Sequence, residues 1–190
     1  MSTDTPDLHW SVVAEGDLTL ADHEAIAAML AQTFPDWSHW YIGGRSWSGM
    51  QPERRILATV DDVVVAHVGI RRMFVTVGGR DQLVGCVGLV GVAPSLQGGG
   101  HGRALLARTA DVLAELDVPF GLLGTGEETV PFYTACGWHL LQDTPGYFSA
   151  FTAEGAGVSV VDDQGWLVLP VAAPIEDWPG GELHWNAQQV

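Results

Sequence analysis

The stretch VGVAPSLQGGGHGRALL, beginning at Val90, places glycine at positions 98, 99, 100 and 102 between an apolar alternating run and a helical pattern. Glycine loses more conformational freedom on folding than any other residue, so a bare backbone there needs a reason. A strand, a glycine loop and a helix in that order make a phosphate cradle. The helix N-terminus offers unpartnered N–H groups, and its dipole favours negative charge. Spacing separates the possible cradles. A Walker loop needs Gly-x-x-x-x-Gly-Lys, and the chain contains no lysine. A dinucleotide fingerprint needs Gly-x-Gly-x-x-Gly after the first strand of a βαβ unit, whereas an antiparallel meander precedes this loop. The third cradle, Gln/Arg-x-x-Gly-x-Gly, is met by Gln97, Gly100 and Gly102. Gln97, Gly98, Gly99, Gly100, His101, Gly102 and Arg103 are therefore candidate cofactor-binding residues. Arg103 and Arg108 bring positive charge to phosphate or an adenine nucleotide.

The elements around the loop follow from periodicity. A short strand near residues 10–14 precedes TLADHEAIAAMLAQTF, which reads as a helix with a capping-box start at Thr19 and Asp22 and an apolar stripe of Ile26, Met29, Leu30 and Phe34. PDWSHWYIGGRSWSGMQPE reads as a long loop with little regular structure. RRILATV, VVVAHVGIRRMFVTV and RDQLVGCVGLVGV, joined by turns at Asp61 and Asp62 and at Gly78 and Gly79, form antiparallel hairpins. HGRALLARTADVLAEL is a helix packed closely on a sheet, VPFGLLG a central strand, and EETVPFYTACGW a short helix ended by Gly137, before a β-rich tail. The result is an α/β (α+β) fold, one central mixed sheet flanked by helices, in a single domain over residues 1–190.

Composition narrows the partners. The chain has 190 residues, 23 acidic against 8 basic, and a formal charge of −15. Such a field opposes nucleic acid and anionic membranes and attracts cations, either for solubility or for a polycationic small substrate. The N-terminal segment lacks a basic leader and no apolar run reaches membrane-spanning length, so a cytoplasmic location is expected. Cys86 and Cys136 lie in apolar contexts without metal-ligand spacing, which reads as two free thiols and no metal site.

The Gln97-x-x-Gly100-x-Gly102 loop, followed about 30 residues later by PFYTACGW, resembles the paired motifs of the GNAT N-acyltransferases. That resemblance implies acetyl-CoA as co-substrate and a GNAT fold whose sheet is mostly antiparallel. It also implies a strand, LVGV, that splays from its neighbour so that Val90 and Val92 offer main-chain groups to the donor. Within the superfamily, LADH, GRSWSGMQPERR, VVAHVGIRRMF and LVGCVGLVGVAPSLQGGG resemble the rhizobial nodulation N-acyltransferases. VVVAHVGIRR, FYTACGW, VVDDQGWLVLP and GGELHW resemble the aminoglycoside 2′-N-acetyltransferases. Both acylate an amine on a sugar.

By that resemblance Tyr133 is the general acid for the departing thiolate, and the Val92 N–H polarises the thioester carbonyl. The base departs from pattern: the positions that carry an acid in the two groups are Gly88 and Cys86 here. Glu127, beside Glu128, is the candidate acting through water, unless the bound amine needs no base. Asp36, Asp163 and Glu182 are the carboxylates implied for binding ammonium groups. Trp37, with Trp40 and Trp47, is placed to stack on a sugar or to pack beneath its loop. His67, Arg71 and Arg72 read as structural. The leading expectation is acetylation of an aminoglycoside or related antibiotic, kasugamycin-like compounds included, for resistance or self-protection. Two readings compete with it: a nodulation-type N-acyltransferase using a longer acyl donor, and a CoA-binding module without catalysis. The edge strands permit a homodimer.

Overall fold

The computed structural model describes residues 7–47, 49, 51–152, 155–162 and 165–186. In chain order the elements are β1 (His9–Ala14), α1 (Leu20–Thr33), β2 (Arg54–Val60), β3 (Val63–Val77), β4 (Arg80–Val92), α2 (His101–Glu115), β5 (Phe120–Thr125) and α3 (Val130–Thr134). The C-terminal part adds β6 (His139–Leu140), β7 (Gly146–Thr152), β8 (Gly155–Asp162), β9 (Gly165–Pro170) and β10 (Leu183–His184). Among the described residues ten strands form one sheet in the order β6-β9-β5-β4-β3-β10-β7-β8, with β2 and then β1 attached to the first half of β3. The β4–β5 and β10–β7 pairs are parallel and the others antiparallel. This is the mixed, mostly antiparallel sheet that the two motifs imply.

Local chemistry explains the boundaries. Thr19 accepts from the Asp22 N–H and Asp22 accepts from the Thr19 N–H, closing the capping box that starts α1. Asp61 and Asp62 at the β2–β3 turn, and Gly78 and Gly79 at the β3–β4 turn, all have positive φ. Such two-residue turns match the right-handed twist of the strands they join. Part of the irregular loop expected is in fact regular: Pro35–Gly44 winds into 3-10 turns. Pro35 supplies a preset φ at the first position, and the buried Tyr41 anchors the segment on Ile26, Met29, Leu30 and Leu57.

α2 covers one face of the sheet, burying Leu105, Leu106, Val112 and Leu113 on Ile56, Val68, Ile70, Val87 and Leu123. Gly121 admits Leu113, whose Cδ1 lies 2.8 Å from where a Cβ would stand. The opposite face carries two separate clusters. One is built by α1 on Leu57 and Leu89, the other by Val75, Val84, Cys86, Leu122, Trp166 and Trp185. Between Cys86 and Leu89, Gly88 pairs with Gly69 of β3, so two residues without side chains floor the seam between the clusters.

Candidate active site

β4 and β5 run in parallel register only from Val84↔Phe120 to Cys86↔Leu122. Beyond that point β5 follows β9 as far as Thr125↔Gly165, while β4 follows β3 as far as Val92↔Ala66. The two strands therefore part, and a fork opens along residues 87–92. The Ala93 N–H donates to the Val65 carbonyl at 2.8 Å. Antiparallel pairs alternate between bonded and non-bonded, so Val92 opposite Ala66 is non-bonded and turns its N–H and C=O into the fork. Val90 has the same phase. The Gln97 side-chain amide donates to the Val92 carbonyl at 3.0 Å and ties the end of the strand to the glycine loop.

Gly98 (φ 81°) and Gly100 (φ 83°) are left-handed, and among the described residues no atom beyond the adjoining ones lies within 4 Å of a Cβ built on either. Their bareness serves backbone conformation. Gly100 begins α2 with no side-chain cap, leaving first-turn N–H groups without intrahelical partners beside the fork. Gly102 differs: a Cβ there would lie 3.1 Å from Cζ of Phe132 on α3. At this position the missing side chain makes room for Phe132.

Tyr133 follows Phe132 and lies buried against Phe132 and Trp138, ring centroids 5.2 and 6.2 Å away. Burial pushes its phenol up to about 12. Glu127 and Glu128 are exposed on the 3-10 turn that links the end of β5 to α3, so Glu127 stands at the mouth of the fork. Cys86 is fully buried, and burial raises its thiol well above the ordinary range, which removes it as a base.

On the other face, the end of α1 lies over β4: Thr33 Cγ2 is 2.9 Å and Phe34 Cε2 3.6 Å from where a Gly91 Cβ would stand. Asp36 and Trp37 follow directly, both exposed, with Trp37 edge-on to Trp40 at 5.7 Å. Trp47 packs edge-on to His23 at 5.8 Å. Glu182 is not brought to this site. Its carbonyl accepts from the Gly78 N–H at 2.9 Å, at the opposite end of β4 from Val92. β4 has 13 residues, about 40 Å at roughly 3.3 Å per residue. The physical reason is that β10 pairs with the hairpin end of β3, at Thr76 and Val77. Asp163 lies outside the described residues. Arg108 stacks its guanidinium 4.2 Å over Trp10, which takes it away from the loop. Arg71 donates to the Gln51 carbonyl at 2.8 Å and Arg72 pairs with Glu53 at 2.9 Å.

Two features escaped the sequence pattern. β4 carries one extra residue between Gly69↔Gly88 and His67↔Gly91, with Leu89 at φ 54°. The fully buried His67 reaches that bulge through Nδ1, 2.9 Å from the Leu89 carbonyl. A contact 22 residues apart leaves no local signal.

An uncapped helix start beside a parted pair of strands suits an extended donor with a pyrophosphate. The family model described as Nodulation protein A (NodA) matches residues 5–188. The chain belongs to the NodA family. It is 32% identical over 193 residues to the nodulation protein A of Rhizobium tropici, covering 93% of this chain and 94% of that one. It is 33% identical over 186 residues to that of Mesorhizobium plurifarium, with the same coverage. Among solved structures, this NodA family member resembles Escherichia coli YhbS, a GNAT family N-acetyltransferase in complex with CoA. The TM-score is 0.63 at 19% identity, over 95% of this chain and 92% of that one. Escherichia coli ElaA gives a TM-score of 0.59 at 17% identity, over 86% and 99%. The NodA family chain thus has the fold of the GNAT acyltransferases. Among the described residues, no helix is long and apolar enough to cross a membrane.

Proposed function

We propose that this chain transfers an acyl group from a coenzyme A thioester to the amine of an amino sugar, as a nodulation-type N-acyltransferase. The observation that carries the chemistry is the β4–β5 fork with the uncapped first turn of α2 beside it; membership of the NodA family carries the acceptor class. The N–H groups of His101, Gly102 and Arg103 receive the pyrophosphate, and the loop from Gln97 to Gly100 sets their direction. The pantetheine arm pairs with the free edge of β4 at Val90 and Val92. That one structural neighbour holds CoA supports this donor.

In the transfer, the amine nitrogen attacks the thioester carbonyl carbon while the Val92 N–H stabilises the developing oxyanion. The carbon–sulfur bond breaks, and the Tyr133 phenol protonates the leaving thiolate. A phenol near 12 is fully protonated at working pH, and the low dielectric that raises it raises the basicity of the thiolate beside it as well. The amine attacks in its neutral form; its nitrogen then gives up one proton through water to Glu127, and solvent returns one to the Tyr133 phenolate, leaving amide and free thiol. Trp37, exposed just beyond the end of α1 that lies over β4, puts an apolar group on the acceptor side and suits a donor with a longer acyl chain.

The aminoglycoside reading draws on Asp36, Asp163 and Glu182, and Glu182 stands at the far end of β4. The test is thiol release with acyl-CoA donors from acetyl to long-chain. Acceptors are glucosamine oligomers and a panel of aminoglycosides including kasugamycin. Expected is a kcat/KM at least about tenfold higher for the amino-sugar oligomer. A preference for an aminoglycoside with acetyl-CoA would replace this reading by its competitor, and CoA binding without any turnover would leave a binding module.

A further inference from the structure

The β4 bulge decides which backbone groups enter the fork. Counting from the two-residue turn at Gly78 and Gly79, the bonded β3–β4 pairs are Val77↔Arg80, Val75↔Gln82 and so on to Gly69↔Gly88. In that phase the odd-numbered residues of β4, Gly85 and Val87, turn their N–H groups away from β3. Beyond the bulge the phase is reversed. Ala93 bonds Val65, so the even-numbered Val90 and Val92 face outward. Without the extra residue, Gly91 would take their place, and its N–H would project at a different height of the fork.

The bulge needs support, because Leu89 holds φ 54°, a left-handed conformation that costs a non-glycine residue free energy. The support is a buried relay that runs back from β4 through β3 to β2. His67 has one ring nitrogen, Nδ1, 2.9 Å from the Leu89 carbonyl, and the other, Nε2, 2.9 Å from Arg55 Nη1. An arginine only donates, so Nε2 accepts and Nδ1 carries the proton given to Leu89. Arg55 is itself fully buried. It is held by Glu15 through Nε at 2.6 Å and Nη2 at 2.9 Å, and it donates to the Ser46 carbonyl at 2.8 Å. Every donor in the chain is oriented by the next partner, so the His67 tautomer is fixed.

We infer that His67, oriented by Arg55 and Glu15, is a positioning residue: it pins the left-handed bulge at Leu89 and so aims the Val90 and Val92 N–H groups at the thioester. The inference rests on acyl transfer at the fork, and its test has an arm that needs no turnover. His67→Asn places an amide N–H close to the lost Nδ1 donor, His67→Gln places its amide near the Nε2 position instead, and His67→Ala removes both. Backbone amide exchange and nitrogen shifts of Val90 and Val92 are measured in the CoA-bound protein, alongside kcat and the KM for the donor. Expected is faster exchange at Val90 and Val92 and a kcat lower by about 10- to 100-fold in His67→Gln and His67→Ala, with donor KM within about threefold of wild type. His67→Asn is expected to recover most of kcat and the native β4 shifts. Should His67→Ala not fold, the contrast between the Asn and Gln variants decides the matter. Native β4 amides in His67→Gln, or a His67→Asn no better than His67→Gln, would overturn the inference. Perturbed amides in a chain that acylates no amine would instead count against the proposed activity while leaving the clamp in place.

Discussion

Phe132 Cζ lies 3.1 Å from the point where a Cβ on Gly102 would stand. The glycine loop and the aromatic motif, 30 residues apart, thus meet through a missing side chain. In an open helix, Gly→Ala gains about 1 kcal/mol from propensity alone. Here that gain is offset by crowding unless the phenyl ring yields. Gly102→Ala is therefore expected to be near neutral in the wild type and stabilising in a Phe132→Leu background. The coupling, read by urea unfolding of the double-mutant cycle, should be roughly 0.5–1 kcal/mol. Additive effects of the two substitutions would show that the contact has no energetic weight.

Gly100 presents the opposite case, with open space around it and φ at 83°. Gly100→Ala is expected to lose about 1–2 kcal/mol through left-handed strain alone. Calorimetry should also show weaker CoA binding, since the start of α2 would turn. Unchanged CoA affinity would mean that the first-turn N–H groups do not receive the pyrophosphate.

Acid should weaken the fold through the buried relay. Burial first, and then the Arg55 charge, push the His67 imidazole from 6.5 down to about 3. Between those values the unfolded chain binds a proton that the folded chain does not. Stability therefore falls as pH falls from 6.5 toward 3, by up to about 1.4 kcal/mol per pH unit. Glu15 acts in the same direction at lower pH. Burial alone would raise its carboxyl, but the Arg55 hydrogen bond and charge outweigh that and hold it below 4.5. Its contribution is present above 4.5 and is lost as the pH falls further. Urea midpoints between pH 7.5 and 5 should slope less steeply for His67→Asn than for wild type; equal slopes would remove His67 from the account of acid sensitivity.

The thiols offer a direct check of the packing around the site. Cys86 is fully buried and its thiol is raised by burial, while Cys136 is partly exposed. One thiol should react with an aromatic disulfide reagent in the native chain and two in denaturant. Fast native labelling of Cys86 would contradict the closed second cluster beneath the fork.

The parts of the site legible in the sequence are those carried by short-range patterns. The capping box at Thr19 and Asp22, the turn glycines 78 and 79, and the Gln97 to Gly102 loop each span a few residues, and backbone chemistry alone dictates their form. The bulge at Leu89 was not legible, because its cause is a histidine on the neighbouring strand and an arginine beyond that. Glu182 misled for a related reason. Its place depends on where a two-residue strand, β10, joins β3, and nothing in GGELHW encodes that register. The 3-10 turns of residues 35–44 were hidden because their anchor, Tyr41, packs on α1 and β2 rather than on its own neighbours.

The central claim is that the fork joins an acyl group to the amine of a sugar. Mass spectrometry of the products formed from a glucosamine oligomer and an acyl-CoA tests it most directly, with free thiol counted in the same samples for wild type and Tyr133→Phe. Expected are an N-acylated sugar and free CoA in equal amounts, with kcat lowered in Tyr133→Phe by about 10²- to 10⁴-fold and donor affinity retained. Bound CoA without N-acylated product from any amino sugar would contradict the claim, and wild-type turnover in Tyr133→Phe would contradict the role given to the phenol.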